Sequence, residues 1–586
     1  MNRVLSWIVF AILLSGCASS AKRDQPSLLT MASGAPRTSE QSATRIDAVV
    51  LRLRVDPKHR RIAGDVTLNL QTRSALAAID LDLDRRYAIS SIEVDGGALE
   101  PARWRNPEGR LHIELPKPTL VDVPFAIRIR YSGAPRVAEH APWDGGFVWS
   151  KTPSGADWIA TAVQGEGCDL FWPCIDHPTA EPAVVEQFIS VPAPLVVAGN
   201  GIDLGMTEQV GWRTYHWRTE HPNTYAIALN IAPYAHLEGE YRSRYGNTIP
   251  LHFWYLPERE DGARKLFAEF PRMLDFFERM IGPYPFGNEK MGVSETPHLG
   301  MEHQTINAYG NEYKLDEYGF DWLLQHEFAH EWFGNQLTNA DWDDMWLHEG
   351  FGAYMQPLYT QWLHGDMAYL ARLFEQRKTL RNQFPIVSGR SQCEHIVYHP
   401  EHGPGGDIYV KGSLVLHTLR AMIGDAAFFD ATRRLVYGTS TPKPGEFVPR
   451  IASTRDFIAD VNAASGRDLQ WFFDVYLFQA ALPELVIARD DNGMSLRWKV
   501  MADKPFPMPV EVRVNDTLQV LDLVTGSARI AVTRDDIVIV DPSSKLLRAL
   551  PHLEAWQKTL EGKKPRRVTP IDPADPCLLP ENSDSA

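Results

Sequence analysis

His326 and His330 stand four positions apart, the spacing that puts two side chains on one face of an α-helix. Two imidazoles so placed can share one metal ion, and zinc suits their borderline-soft nitrogens. A catalytic zinc takes three protein ligands and keeps a fourth position for water. Glu349 is the candidate third ligand, because the chain beyond His330 has room for one helix to end, turn, and a second to return beside it. Glu327, inside the His-Glu-x-x-His run, can then face the ion's water as general base. The competing reading is a buried helix with satisfied histidines. Trp322, Leu323, Phe328, Ala329 and Phe333 make one side of the segment apolar, and a chain with 19 histidines can produce the motif by accident.

The elements that must position these residues follow from periodicity. Val49, Leu51, Leu53 and Val55 alternate with other residues, as do Val66, Leu68 and Leu70, then Leu111, Ile113 and Leu115, then Phe125, Ile127, Ile129 and Tyr131. Period-two alternation broken by turns such as Asp95-Gly96-Gly97 predicts an antiparallel β domain over 45–237 with one wet face. Over 238–481 helices dominate: an amphipathic stretch at 265–281, the metal-motif helix at 315–334, a helix from about 343 carrying Glu349, a loop at 385–408, and a helix at 409–422. Residues 482–550 return to β pattern and 551–586 read as a surface tail. The expected fold class is therefore multidomain α+β.

The 586-residue chain carries a formal charge of −15, which disfavours a nucleic-acid partner. Its N-terminus reads as a targeting segment: Arg3, a short apolar run from Leu5 to Leu14, then Leu14-Ser15-Gly16-Cys17. That tetrad resembles the bacterial lipobox, which implies a signal peptide over 1–16 and lipid on Cys17. The expectation is a lipid-anchored, periplasm-facing protein of the cell envelope, with Ala18 after the cysteine pointing to the outer membrane of a Gram-negative bacterium. Residues 17–44 read as a flexible tether. Cys168, Cys174, Cys393 and Cys577 form no Cys-x-x-Cys pattern, and the pairing of Cys168 with Cys174 is left open.

Several segments together resemble one family. His326-Glu327-Phe328-Ala329-His330-Glu331-Trp332-Phe333-Gly334-Asn335 is similar to the signature of the gluzincin aminopeptidases of family M1. Trp346-Leu347-His348-Glu349-Gly350-Phe351 resembles their third-ligand segment, Gly300-Met301-Glu302-His303 their exopeptidase motif, and Tyr409-Val410-Lys411-Gly412 their catalytic-tyrosine segment. Gln164-Gly165-Glu166 and Trp172-Pro173-Cys174-Ile175-Asp176 resemble N-terminal elements of that family, and Ser465-Gly466-Arg467-Asp468-Leu469 with Trp471-Phe472-Phe473 the end of its catalytic domain. The resemblance spans about residues 45–545, with the motifs in family order.

The resemblance implies a thermolysin-like, mainly helical catalytic domain and a small C-terminal β-sandwich over 482–550. It implies one zinc ion held by His326, His330 and Glu349, with Glu327 as base and Tyr409 stabilising the oxyanion. It also implies peptide substrates with a free N-terminus, held by Glu302 and Glu166 among the residues Gln164, Gly300 and Met301. Leu299, His303 and His348 depart from the family pattern, and neither histidine is expected to bind the metal. The segment after residue 550 is too short for the helical domain that covers the cleft in many relatives, so an open cleft, or one closed by a partner subunit, is expected. Two rival readings stand beside the aminopeptidase: a zinc hydrolase of a non-peptide, epoxide-type substrate, and an inactive peptide-binding lipoprotein.

Overall fold

Alternation builds the first half of the protein. In the computed structural model, which describes residues 29–445, 448–561, 571, 575, 577 and 578, Val49, Leu51, Leu53 and Val55 are buried while Arg52 and Arg54 on the other face are exposed. Their strand, Thr44–Asp56, is central in an eight-stranded sheet. One neighbour is Arg61–Thr72, antiparallel, and the other is Val184–Pro192, parallel. The expectation of a purely antiparallel domain is corrected here. More than a hundred residues lie between these parallel strands, ample for the crossover that parallel pairing needs. A four-stranded sheet containing Asp157–Ala162 lies next in the chain and delivers Gln164 to the loop that follows it.

A mixed five-stranded sheet opens the catalytic half, in the order Ala235–Arg242, Thr248–Tyr255, Met291–Glu295, Asn307–Tyr309, Gly300–Met301. Gly300–Met301 is thus an edge strand beside the metal-motif helix. The amphipathic stretch expected at 265–281 is two helices, Glu260–Phe267 and Phe270–Met280. Pro271 lies in the first turn of the second, the one place in a helix where its missing N–H costs nothing.

The metal-motif helix is also shorter than expected, Trp322–His330 rather than 315–334. The Asp321 carboxylate accepts from the backbone N–H groups of Leu323 and Leu324 and so caps its start. The following helix, Trp346–His364, carries Glu349 and crosses Asp407–Ile423, which carries Tyr409. Their backbones meet glycine to glycine: a Cβ added to Gly412 would lie 2.8 Å from the Cα of Gly350. Larger residues there would separate the helices and pull Tyr409 away from Glu349.

Two three-stranded sheets follow, one from Glu484–Asp490, Gly493–Lys499 and Ser527–Ile530, the other from Thr517–Leu521, Val510–Val514 and Val538–Val540. Leu496, Trp498, Phe506, Met508, Val510 and Val512 are buried with them.

Both chain ends correct the expectation of loose segments. Within the expected tether, residues 29–43 pack on the fold: Thr30 donates to Asp169, Ser33 to Asp176 at 3.2 Å, and Gln41 to Asp82 at 2.8 Å. Within the expected tail, Pro551–Glu561 is helical, and Cys577 is disulfide-bonded to Cys393. Cys168 and Cys174 form a second disulfide. No helix among the described residues is long and apolar enough to cross a membrane.

Candidate active site

The helix spacing brings the two imidazoles together as expected, with Nε2 of His326 and Nε2 of His330 3.1 Å apart. The orientation of His330 is set from behind: its Nδ1 donates to the Phe333 carbonyl at 2.8 Å, which leaves Nε2 as the lone pair facing the site. Glu349 Oε2 reaches in from the next helix, 3.5 Å from His326 Nε2 and 3.4 Å from His330 Nε2. That oxygen is buried with no hydrogen-bond partner. Burial acts to raise the Glu349 pKa, but the two imidazoles more than reverse this and hold the carboxyl below the usual range. Two nitrogens and one orphaned carboxylate oxygen converging in a buried spot are the donor set of a catalytic zinc, so the residues fit that ion.

Glu327 sits beside this group, its Oε2 also buried and unpartnered. One ligand atom each of Glu302, Glu327 and His330 lie within 4.8 Å of one another, so base, ligand and proposed anchor share one small volume. Burial pushes Glu327 well above the usual carboxylate range; His330 opposes this, while Glu302 and Glu349 add to it. Gly300 makes the space. A Cβ there would stand 2.3 Å from Glu327 Oε1, so any larger residue in the edge strand would displace the carboxylate.

Residues 269–476, which contain this whole metal cluster, match the family model "Peptidase family M1 domain". That segment is a peptidase family M1 domain. The chain is 27% identical over 336 residues to aminopeptidase RNPEPL1 of Homo sapiens, covering 55% of this chain and 43% of that protein. It is 24% identical to leukotriene A-4 hydrolase of Xenopus laevis, over 65% of this chain and 63% of the other. The chain therefore spans less than two thirds of either relative. Among solved structures, an M1 zinc metallopeptidase from Deinococcus radiodurans matches with a TM-score of 0.62 at 25% identity, over 77% of this chain and 98% of that one. Legionella pneumophila aminopeptidase A shares the fold, with a TM-score of 0.71 at 16% identity over 90% of this chain and 62% of that one.

The residues expected on the substrate side come from several segments of the chain. Glu302 is buried, and its Oε1 accepts from Gln164 Nε2 and from the Tyr225 hydroxyl, both at 2.7 Å. Its Oε2 has no hydrogen bond to the described residues. Met301 and Gly300 bring Glu302 in from the edge strand, and Asn335 Nδ2 donates to its backbone carbonyl at 3.0 Å. Glu166 is less buried and is paired with Arg136. Tyr409 donates to Glu349 Oε1 at 2.8 Å, and Tyr398 donates to the same oxygen at 2.9 Å. Burial, then Glu349, pushes the Tyr409 hydroxyl well above its usual range, so it stays a proton donor at neutral pH.

His348 points away from the ligands: its Nε2 accepts the backbone N–H of Asn339 at 2.9 Å. Burial, then His330, lowers its pKa to about 3. Burial, then His298, likewise lowers that of His303 to about 3. Neither histidine joins a metal-ligand group among the described residues.

Tyr398, Tyr225 and Arg136 are site residues that sequence reasoning passed over. Tyr398 lies in the stretch read as loop, where a five-residue helix, Glu394–Tyr398, forms instead. Its one sequence signal was apolar Ile396-Val397 amid Gly, Pro and His. Cys17 lies outside the described residues.

Proposed function

We propose that the protein is a zinc-dependent aminopeptidase that removes one residue from the N-terminus of peptides. The observation that carries the reading is the placement of Glu302: a buried carboxylate beside Glu327 and His330, with one oxygen fixed by Gln164 and Tyr225 and the other without a hydrogen bond to the described residues. An α-ammonium docked on that oxygen would put the first peptide bond over the metal ligands. Zinc, when bound, supplies the Lewis acid that polarises the scissile carbonyl and makes water acidic enough to lose a proton near neutral pH. Glu327 takes that proton on its carboxylate and gives it to the nitrogen of the departing peptide. The Tyr409 hydroxyl turns from Glu349 to donate to the carbonyl oxygen as it gains charge. Tyr398 keeps its bond to Glu349 meanwhile, so the third ligand stays oriented. The free-amine anchor and the complete set of Glu327, Tyr409 and metal ligands disfavour the epoxide-type and inactive readings.

Aminoacyl fluorogenic amides test this. Cleavage is expected with free-amine substrates, to be lost with a zinc chelator and restored by zinc, and N-acetylated versions should resist. Equal cleavage of blocked and free substrates would refute the aminopeptidase assignment.

In the finer architecture, we read the catalytic half as a thermolysin-like domain and residues 482–550 as a small β-sandwich. We also propose that the protein is a lipoprotein anchored through Cys17 and facing the periplasm. All four other cysteines are paired in disulfides, as suits an oxidising compartment. Cys17→Ser is expected to move the protein from the membrane fraction to the soluble fraction. A variant that stays membrane-bound would end the lipidation reading.

A further inference from the structure

Five glutamates gather at the cleft: Glu349 with the histidines, Glu327 as base, Glu302 and Glu166 from the motifs, and Glu394. The last belongs to no motif. It begins the short helix after Cys393 and is only 7% exposed. Its backbone N–H donates to the Ser33 carbonyl at 3.1 Å, but its carboxylate has no hydrogen bond or ion pair to the described residues. It lies against Gly165, the middle of Gln164-Gly165-Glu166: a Cβ on Gly165 would be 2.8 Å from Glu394 Oε2. This residue therefore abuts the loop that also carries a hydrogen-bond donor to Glu302. Glu166, Glu349, Asp176 and Glu302 all act on it electrostatically.

The charges can be counted. Glu349 and Glu327 would face a bound zinc ion, which would bring two positive charges. Glu166 is neutralised by Arg136. Glu302 is neutralised by the substrate's α-ammonium. Of the five glutamates, Glu394 is left over. Burial, then Glu166, pushes its pKa up to about 8, so without a positive partner it holds its proton at neutral pH, and a cation beside it would favour the carboxylate. A buried carboxyl without a partner is costly, and a cation delivered by the substrate would remove that cost.

We propose that Glu394 selects peptides whose first residue is basic, pairing its carboxylate with the side-chain ammonium or guanidinium of an N-terminal Lys or Arg. The proposal rests on the aminopeptidase reading. It makes Glu394 a specificity determinant at the side-chain pocket, separate from the amine anchor Glu302.

Steady-state hydrolysis of Arg, Lys, Leu and Ala fluorogenic amides by the full chain and by Glu394→Gln tests it. These substrates carry one residue, so a basic second residue cannot contribute. The wild-type protein is expected to favour Arg and Lys over Leu and Ala in kcat/KM by roughly tenfold or more, the scale of one desolvated charge-assisted pair. Glu394→Gln should lose that preference while keeping Leu hydrolysis within about threefold, a margin small on the same scale, which also shows that the variant is folded. Wild-type preference for Leu over Arg would overturn the proposal, and so would an equal loss on all four substrates. Hydrolysis of Leu without preference for Arg defeats this inference alone. Failure to cleave any of the four defeats the aminopeptidase reading and this one with it.

Discussion

Glu327→Gln is expected to lower kcat by about 10³-fold, within the range for removing a general acid-base group, with KM little changed. The side chain keeps its shape, so the fit against Gly300, where a Cβ would come within 2.3 Å of Oε1, is undisturbed. None of the three metal ligands is altered, and metal content measured by atomic absorption should equal that of the wild type. Stability should hold or rise. Glu327 is buried with Oε2 unpartnered, and the neutral amide removes the cost of a buried charge. The combination of intact metal, undiminished melting temperature and lost turnover separates a proton-transfer role from a structural one. Activity within tenfold of the wild type would remove Glu327 from the chemistry.

Glu302→Gln should cost about 2–5 kcal/mol of transition-state stabilisation for free-amine substrates, the price of truncating one partner of a buried, hydrogen-bonded charge pair. In rate this is roughly 30-fold to 5,000-fold in kcat/KM. The amide oxygen can still accept from Gln164 and Tyr225, which hold Oε1 at 2.7 Å, so the edge strand should keep its place. What disappears is the negative charge opposite the substrate ammonium. The contrast between free and N-acetylated substrates should therefore collapse along with the rate. A variant that is slow but still rejects acetylated substrates as strictly as the wild type would show that the amine is read elsewhere.

The metal cluster was legible because its geometry is local. Four-residue helical spacing fixed the relation of His326 to His330, and the return helix with Glu349 followed from distance along the chain. The edges of elements were harder. The expected helix over 315–334 ignored Asp321, whose carboxylate is spent on capping, and Pro271 was a readable break that the amphipathic pattern masked. The docked segment 29–43 looked like a linker because its useful side chains are small and polar. Their partners, Asp82, Asp169 and Asp176, lie far away in sequence and become buried acceptors only after folding. Tyr225, Tyr398 and Arg136 act through contacts between distant segments, which no local pattern encodes. The parallel strand pair had the same difficulty: alternation places a strand's faces, not its neighbours.

The bond between Cys393 and Cys577 has a topological consequence. The two cysteines are 184 positions apart, and the ring they close contains Glu394, Tyr398, Tyr409 and both C-terminal sheets. His326, His330 and Glu349 lie outside the ring, on the uncut side of Cys393. A protease that nicks the backbone anywhere inside the ring opens a loop without releasing a fragment. The strand of chain bearing the tyrosine hydroxyls stays leashed to the one bearing the metal ligands for as long as the disulfide survives. One severed peptide bond then need not part the catalytic groups from each other.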